Sequence, residues 1–423
     1  MPILSALATA FGSLAFAAQV PPALEFDPRG VEPSPDSALT TGGLVWSHVV
    51  PGSVLPEVAL GDRGEQVLAL TAGDHLRLFS AFDADPPTPI WSSPGSAMWT
   101  GIRAASGSAD YLYCDVRIDG PLSAGVLKKF GSGSSSPEWT YPFPAQFMSR
   151  PFFDLSREGG TIVSVFSNTA TASIELRVHG PETGKTLHVD AQPGNYSVTS
   201  FDLSPDGSVC AFGYVHGSQT VEVYETATGA HLATLPGLVA GDQALSDGGE
   251  RLVLYENENA LEYEVRVYER GPSGYQWILS VPTPVGWFVG DVAVSDDGST
   301  MAAIWCDAFQ PDQGIVRAYD LATRTMTMEH VDAGNTQQII PYDCAIAADG
   351  SRFVVGQGGP GSSAFPELAV YSPTSSTPLR THPEGGAVYR VAMSPDGRRY
   401  AAARTPGHGI PTRTSVDLFE FGR

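Results

Sequence analysis

A short Asp-Gly turn between two apolar stretches recurs along the chain, and this repeat constrains the fold more than any other feature. The clearest copies are Phe201–Ser208, which reads FDLSPDGS, and Val391–Arg398, which reads VAMSPDGR. Weaker copies place their glycine at positions 64, 159, 248, 298 and 350. From position 159 to 397 these glycines lie 41 to 52 residues apart. The glycines at positions 64 and 159 are separated by about two repeat lengths, and a degenerate copy of the turn lies between them at Ser106–Asp110. The chain therefore holds eight copies of one unit.

Each unit is predicted to contain four short strands. In the turn, Pro fixes φ at the first central position, Asp bonds to its own backbone and Gly adopts a positive φ. A second hairpin follows, as in Thr220–Tyr224, a turn at Ala227–Gly229, and His231–Leu235. Apolar residues alternate with period two in these strands, which indicates β-structure. Four strands in a unit of this length are typical of a propeller blade. We predict an all-β fold, a single β-propeller of eight four-stranded blades, with seven blades as the alternative.

The two ends of the chain complement each other. The last unit ends one strand short at Arg423, whereas Leu44–Val50 is an apolar strand that precedes the first complete unit. We therefore predict that this N-terminal strand becomes the outermost strand of the last blade. Closure of this kind covers sheet edges that would otherwise favour aggregation.

The Ser-Pro-Asp-Gly turns, together with the Val-Tyr-Glu-Thr-Ala-Thr-Gly hairpin at 223–229, resemble those of WD-repeat and TolB-type bacterial β-propellers. The resemblance extends over residues 44–423. It implies the fold, but that superfamily includes scaffolds, binding proteins and enzymes, so it does not imply one function. The Gly-His and Trp-Asp pairs of eukaryotic WD repeats do not accompany these turns.

The N-terminal segment is predicted to direct export. Residues 3–18 are apolar and uncharged, and Ala15–Ala17 fits the small-x-small rule for signal-peptide cleavage, although no Lys or Arg precedes them. We predict a signal peptide at 1–17, a Pro-rich flexible leader at 18–43 and the propeller at 44–423. The expected location is periplasmic or extracellular.

The net charge of −22 restricts the partners. Nucleic-acid binding requires a basic stripe, and the chain has no cluster of Lys and Arg, so nucleic acid is not an expected partner. An anionic membrane surface would repel the protein, and no second segment is long and apolar enough to insert. A monomer is expected.

Four cysteines, at positions 114, 210, 306 and 344, lie in apolar stretches without metal-ligand spacing. They are either small buried core residues or, for Cys306 and Cys344 in neighbouring units, a disulfide pair. No cofactor is predicted. The acidic surface is compatible with Ca²⁺, but no carboxylate-bearing loop matches a Ca²⁺-binding motif.

The rim that carries the connections between blades is the expected binding face, because ligands bind at concave mouths. Those connections offer aromatic, amide and arginine side chains that are suited to anchoring a partner. They are Phe147, Trp287, Phe288, Gln337, Gln338, Tyr389 and Arg390. The alternative for each is packing between blades.

Three functions remain compatible with the sequence. We predict a binding module for a protein or glycan at the channel mouth, without catalysis. A metal-dependent hydrolase, lactonase or lyase with its site in the central channel is the alternative. A purely structural component of the envelope is the third.

Overall fold

The computed structural model describes residues 43–51, 57–71, 75–94, 101–119, 122–143, 151–168, 170–184, 186–193, 197–216, 218–236, 243–259, 262–307, 313–333, 340–358, 367–382, 387–405 and 413–421. The predicted signal peptide and nearly all of the predicted leader, up to residue 42, lie outside these ranges.

The strands form eight four-stranded antiparallel sheets. The first four blades, from the innermost strand outward, are β2 (Glu57–Gly61), β3 (Gln66–Thr71), β4 (His75–Ser80), β5 (Trp91–Pro94); β6 (Gly101–Ala104), β7 (Asp110–Asp119), β8 (Leu122–Gly131), β9 (Trp139–Pro142); β10 (Phe152–Leu155), β11 (Ile162–Asn168), β12 (Ser173–His179), β13 (Thr186–Pro193); and β14 (Ser197–Leu203), β15 (Val209–His216), β16 (Ser218–Glu225), β17 (His231–Pro236).

The other four blades are β18 (Gln243–Leu245), β19 (Arg251–Asn259), β20 (Glu262–Gly271), β21 (Gly274–Pro282); β22 (Trp287–Val294), β23 (Thr300–Asp307), β24 (Gln313–Asp320), β25 (Thr325–Ala333); β26 (Ile340–Ile346), β27 (Phe353–Gly358), β28 (Leu368–Tyr371), β29 (Arg380–His382); and β30 (Ala387–Met393), β31 (Arg399–Thr405), β32 (Arg413–Glu420), β1 (Leu44–Pro51). Short 3-10 turns occupy Asp62–Gly64 and Asp247–Gly249. No helix in the described part of the chain is long and apolar enough to cross a membrane.

The innermost strand of each blade contacts the innermost strand of the next, and the last, β30, contacts the first, β2. The sheets therefore form a closed ring. This confirms the predicted eight-bladed β-propeller and excludes the seven-bladed alternative.

The hydrophobic core lies between the blades. Eight clusters of buried side chains are found in the described residues, and each combines two neighbouring blades. In β3, Val67 and Ala69 pack toward the last blade, whereas Leu68 and Leu70 pack toward the second. Successive side chains of a strand point to opposite faces, so a strand between two blades must be apolar on both. This explains the continuous apolar runs that follow the Asp-Gly turns.

The first hairpin of the blades has the predicted turn chemistry. Gly207 has a φ of 76°, and a Cβ added there would lie 2.7 Å from the Cβ atoms of Ser156 and Thr161 in the preceding blade. Asp206 accepts hydrogen bonds from Ser204 Oγ (2.7 Å) and from the backbone N–H of Ser208 (3.2 Å). The glycine is thus required both by the backbone conformation and by the close approach of the neighbouring blade.

The ring closes as the sequence predicts. Strand β1 pairs antiparallel with β32 as the outermost strand of the last blade. Trp46 is fully buried in the cluster shared with the first blade, and its indole N–H donates to Ser80 O at 3.1 Å. The backbone N–H of Ser47 donates to Asp85 Oδ1 at 3.1 Å. The N-terminal strand therefore pairs with the last blade and is attached to the first blade through the Trp46 side chain and the Ser47 backbone N–H.

The cysteines are core residues. Cys114, Cys210, Cys306 and Cys344 are all buried thiols. The structure does not contain the Cys306–Cys344 disulfide that the sequence left as an alternative. Burial raises the pKa of Cys306 to about 11, which makes its thiolate, the reactive form, scarce at neutral pH.

Candidate functional site

The propeller has two rims of different construction. Because the four strands of a blade are antiparallel, the connections between its first and second and its third and fourth strands lie at one rim, here called the turn rim. The connections between second and third strands and between blades lie at the other, here called the loop rim. The tight Asp-Gly and Thr-Gly turns are at the turn rim.

Backbone hydrogen bonds between successive turns line the turn rim around the channel. In order around the ring they include Arg63 N to Ser106 O (2.6 Å), Gly107 N to Arg157 O (2.8 Å), Arg157 N to Pro205 O (2.7 Å), Asp247 N to Asp296 O (2.8 Å) and Ala348 N to Pro395 O (2.9 Å). The turns thus hold one another in place around this mouth.

One arginine side chain lies across the same mouth. Arg157, from the third blade, pairs with Asp247 of the fifth at 3.0 Å and with Asp296 of the sixth. Burial raises the pKa of Asp296 to about 6, against the opposing effect of the Arg157 guanidinium, and the nearby Asp247 raises it further. The ion pairs bridge blades that are not neighbours, so the Arg157 side chain extends across the turn-rim mouth.

Replacement of Arg157 by Ala is expected to lower the free energy of unfolding by about 2 kcal/mol at pH 7, because two partly buried carboxylates lose their cation. The folded-state pKa of Asp296 lies above its ordinary 3.8, so the folded protein takes up a proton as the pH falls through 6. The loss should therefore shrink at pH 5. Urea unfolding of the wild type and of Arg157→Ala at pH 7 and pH 5 measures the loss of stability. An equal loss at the two pH values would contradict the contribution of the ion pair between Arg157 and Asp296.

The innermost strands surround a central cavity of about 620 Å³. Carboxylates recur on these strands at fixed positions, four or two residues before the first residue of the Asp-Gly turn. Their side chains point to the same face of the strand because successive residues alternate. They are Glu57, Asp291 and Asp343 at the first position, and Asp154 and Asp202 at the second.

Most of these carboxylates connect one blade to the next. An innermost strand has a neighbouring strand on one edge only, so N–H groups on its other edge need another acceptor. Carboxylate oxygens of the preceding blade accept from them. The bonds are Ile102 N to Glu57 Oε2 (3.0 Å), Leu245 N to Asp202 Oδ2 (2.6 Å), Cys344 N to Asp291 Oδ2 (2.6 Å) and Val391 N to Asp343 Oδ2 (2.7 Å).

Two arginines share the cavity wall with Glu57, Asp154, Asp291 and Asp343. Arg103 lies 3.8 Å from Asp154, and Arg390 lies 3.4 Å from Asp343, each in the neighbouring blade. Burial raises the pKa of Asp154, with Arg103 acting in the opposite direction. The cavity wall is therefore polar and mainly acidic. These acids were not identified from the sequence, although a carboxylate two or four residues before five of the eight turns was a visible signal.

The predicted binding residues separate into three groups. Phe147, Gln337 and Gln338 lie outside the described residues. Trp287 is partly buried and packs against the cluster between the fifth and sixth blades, as the alternative interpretation held. Phe288 is 41% exposed, and Arg390 is part of the cavity wall.

Tyr389 packs against a second tyrosine, Tyr342, which was not among the predicted binding residues. Its ring centroid lies 4.8 Å from that of Tyr342 in the preceding blade. Val285, in the connection that leads to Phe288, is 90% exposed. Val285 and Phe288 belong to the sixth blade's entry, Tyr342 to the seventh and Tyr389 to the eighth. The loop-rim ends of three consecutive innermost strands thus carry large apolar or aromatic side chains, here called the aromatic arc (Val285, Phe288, Tyr342 and Tyr389).

Within the described ranges, no group of three or more His, Cys, Asp or Glu side chains is arranged to hold a metal ion.

The fold of the chain is similar to that of solved β-propeller structures. The chain is similar to the β-propeller domain of Cps50 (Swd1) from Myceliophteria thermophila, with 8% identity, a TM-score of 0.52, and coverage of 90% of this chain and 99% of that one. It is also similar to the Dos1 propeller, with 10% identity, a TM-score of 0.61, and coverage of 90% and 96%. No protein-family model matches the sequence, and no curated protein matches it.

Proposed function

We propose that this protein is an exported interaction module that binds a protein or glycan partner at the loop-rim mouth of its channel. The observation that carries the proposal is the aromatic arc, in which Val285 and Phe288 remain exposed at that mouth. An exposed aromatic side chain flanked by polar groups is a favoured anchor for a partner. The propeller fold is consistent with such a module.

The construction of the two rims supports the choice of face. The turn rim is tied together by backbone hydrogen bonds and crossed by Arg157. The wall of the cavity presents Arg390 and carboxylates of the inner strands. A partner that contacts Phe288 at the mouth can thus also reach hydrogen-bonding groups within the channel. Apolar contact at the rim and polar contact inside would act together.

The predicted signal segment supports export. Residues 3–18 form an uncharged apolar run that ends at a small-x-small site. A partner in the same compartment, either another exported protein or a polysaccharide, would be accessible to the module. Detection of the mature protein in a periplasmic or culture fraction, with its N-terminus near residue 18, tests this part of the proposal.

The double variant Phe288→Ala/Arg390→Ala is expected to bind its partner at least about tenfold more weakly than the wild type, since aromatic and arginine anchors carry most of the energy of an interface. The measurement is binding of the purified protein to an array of neutral and acidic glycans and to exported proteins of its source. Phe82→Ala is the matched control, because Phe82 is 63% exposed but lies at the turn rim. Wild-type binding by the double variant, or loss of binding in the control, would contradict the assignment of the face.

A further inference from the structure

The seam between the closing strand β1 and the first blade contains a histidine in contact with an arginine. His48 Nε2 lies 2.9 Å from Arg77 Nη1 on β4. The imidazole ring also packs on Phe79 of the same strand, with 4.7 Å between the ring centroids. Both partners belong to the first blade, whereas His48 belongs to the outermost strand of the last. The contact therefore lies at the point where the ring is closed.

The chemistry of this contact requires neutral histidine. A guanidinium group is always a donor, so His48 Nε2 must be the acceptor and its proton must be on Nδ1. Protonation of Nε2 removes the acceptor lone pair and places two cations in contact. In the half-buried seam this repulsion is screened less than in water.

The carboxylates described at the seam contact groups other than the imidazole. Asp85, of the first blade, is engaged with the backbone N–H of Ser47. Asp417, on β32, accepts from Ser47 Oγ and pairs with Arg404 at 2.5 Å. The contacts described for His48 are with Arg77 and Phe79, and neither supplies a negative charge.

We propose that His48 makes closure of the ring acid-sensitive, so that protonation of its imidazole weakens the attachment of β1 to the first blade. Burial, and the Arg77 charge to a smaller degree, lower the pKa of His48 below its usual value of 6.5. The neutral form is therefore the one present at pH 7. The folded pKa lies below the unfolded one, so stability from this contact is lost as the pH falls below 6.5.

The test is hydrogen exchange of the backbone amides, measured at pH 7 and pH 5 and corrected for the intrinsic exchange rate at each pH. In the wild type, protection of the β1 amides is expected to fall about tenfold more than protection of the β15 amides in the fourth blade. His48→Gln should abolish this difference, because the amide oxygen of Gln accepts from Arg77 and does not titrate. His75→Gln, on the same strand as Arg77, is the matched control and should behave as the wild type.

Equal changes of protection in β1 and β15 of the wild type would overturn the proposal, as would the same selective loss in His48→Gln. If His48→Gln does not fold, Arg77→Gln provides the second test, since it removes the opposing cation and keeps a side-chain amide donor. A selective loss in Arg77→Gln as large as in the wild type would also overturn it.

Discussion

A chain that begins after Pro51, and so lacks β1, is expected not to form a stable closed ring. The deletion removes Trp46, which is fully buried between the last and first blades. It also leaves β32 without its outer neighbour and exposes the first-blade side of the seam. Trp46→Ala alone should cost about 3–5 kcal/mol, as expected for a large aromatic residue lost from a core. We therefore expect the deletion to give aggregated protein, or a melting temperature far below that of the full chain.

The matched control is a chain that begins at Thr41, which lacks the preceding residues but keeps all of β1. It should melt at nearly the same temperature as the full chain, as measured by circular dichroism in the β-sheet region. A chain starting after Pro51 that also melts at this temperature would contradict the closing role of β1. A Trp46→Ala protein with unchanged stability would count against the burial of that ring at the seam.

The architecture could be predicted from the sequence because local signals repeat. The turn at 204–207 combines a proline, an aspartate and a positive-φ glycine, and each residue acts within its own turn. A weak copy of the turn, such as Ser106–Asp110, is recognised by its distance from the neighbouring copies, even though it lacks the Pro-Asp-Gly sequence. The number of blades then follows from the number of repeats, and the closing strand is recognisable as the apolar stretch that precedes the first unit.

The site was less accessible to such reasoning because it depends on contacts between distant blades. Arg157 is a turn residue whose sequence neighbours say nothing of Asp247 and Asp296, which lie two and three blades away. Trp287 and Phe288 are adjacent in sequence, yet one packs between blades and the other is exposed. The alternation of a strand distinguishes its two faces, but it does not show which face a partner would reach.

The carboxylates of the inner strands could be predicted in part from the sequence. Asp291 interrupts the apolar run Val289–Val294, which is unusual because an unpartnered buried charge is costly. Such an interruption indicates a specific acceptor role, and its recurrence before several turns indicates that the role belongs to the fold. Its partner, the backbone N–H of Cys344, carries no side-chain signal and cannot be identified from sequence.

Replacement of Asp291 by Ala is expected to lower the free energy of unfolding by about 3 kcal/mol. The side chain is 6% exposed and accepts from the backbone N–H of Cys344 at 2.6 Å and of Val292 at 2.9 Å. Without the carboxylate, two N–H groups lack this acceptor, and each buried donor left unsatisfied costs about 1–3 kcal/mol. Urea unfolding monitored by tryptophan fluorescence, with the slope of the transition compared between proteins, measures the change.

Two further variants separate this role from the effect of removing any aspartate. Asp297 belongs to the same blade but is exposed in the turn, where it accepts from Ser295 Oγ at 2.6 Å and Ser299 N at 2.9 Å. Asp297→Ala should therefore cost only about 1 kcal/mol. Asp291→Asn keeps one acceptor oxygen and should be intermediate. If Asp291→Ala is no less stable than Asp297→Ala, the inner-strand carboxylates do not join the blades, and their recurrence would have to be explained by what enters the channel.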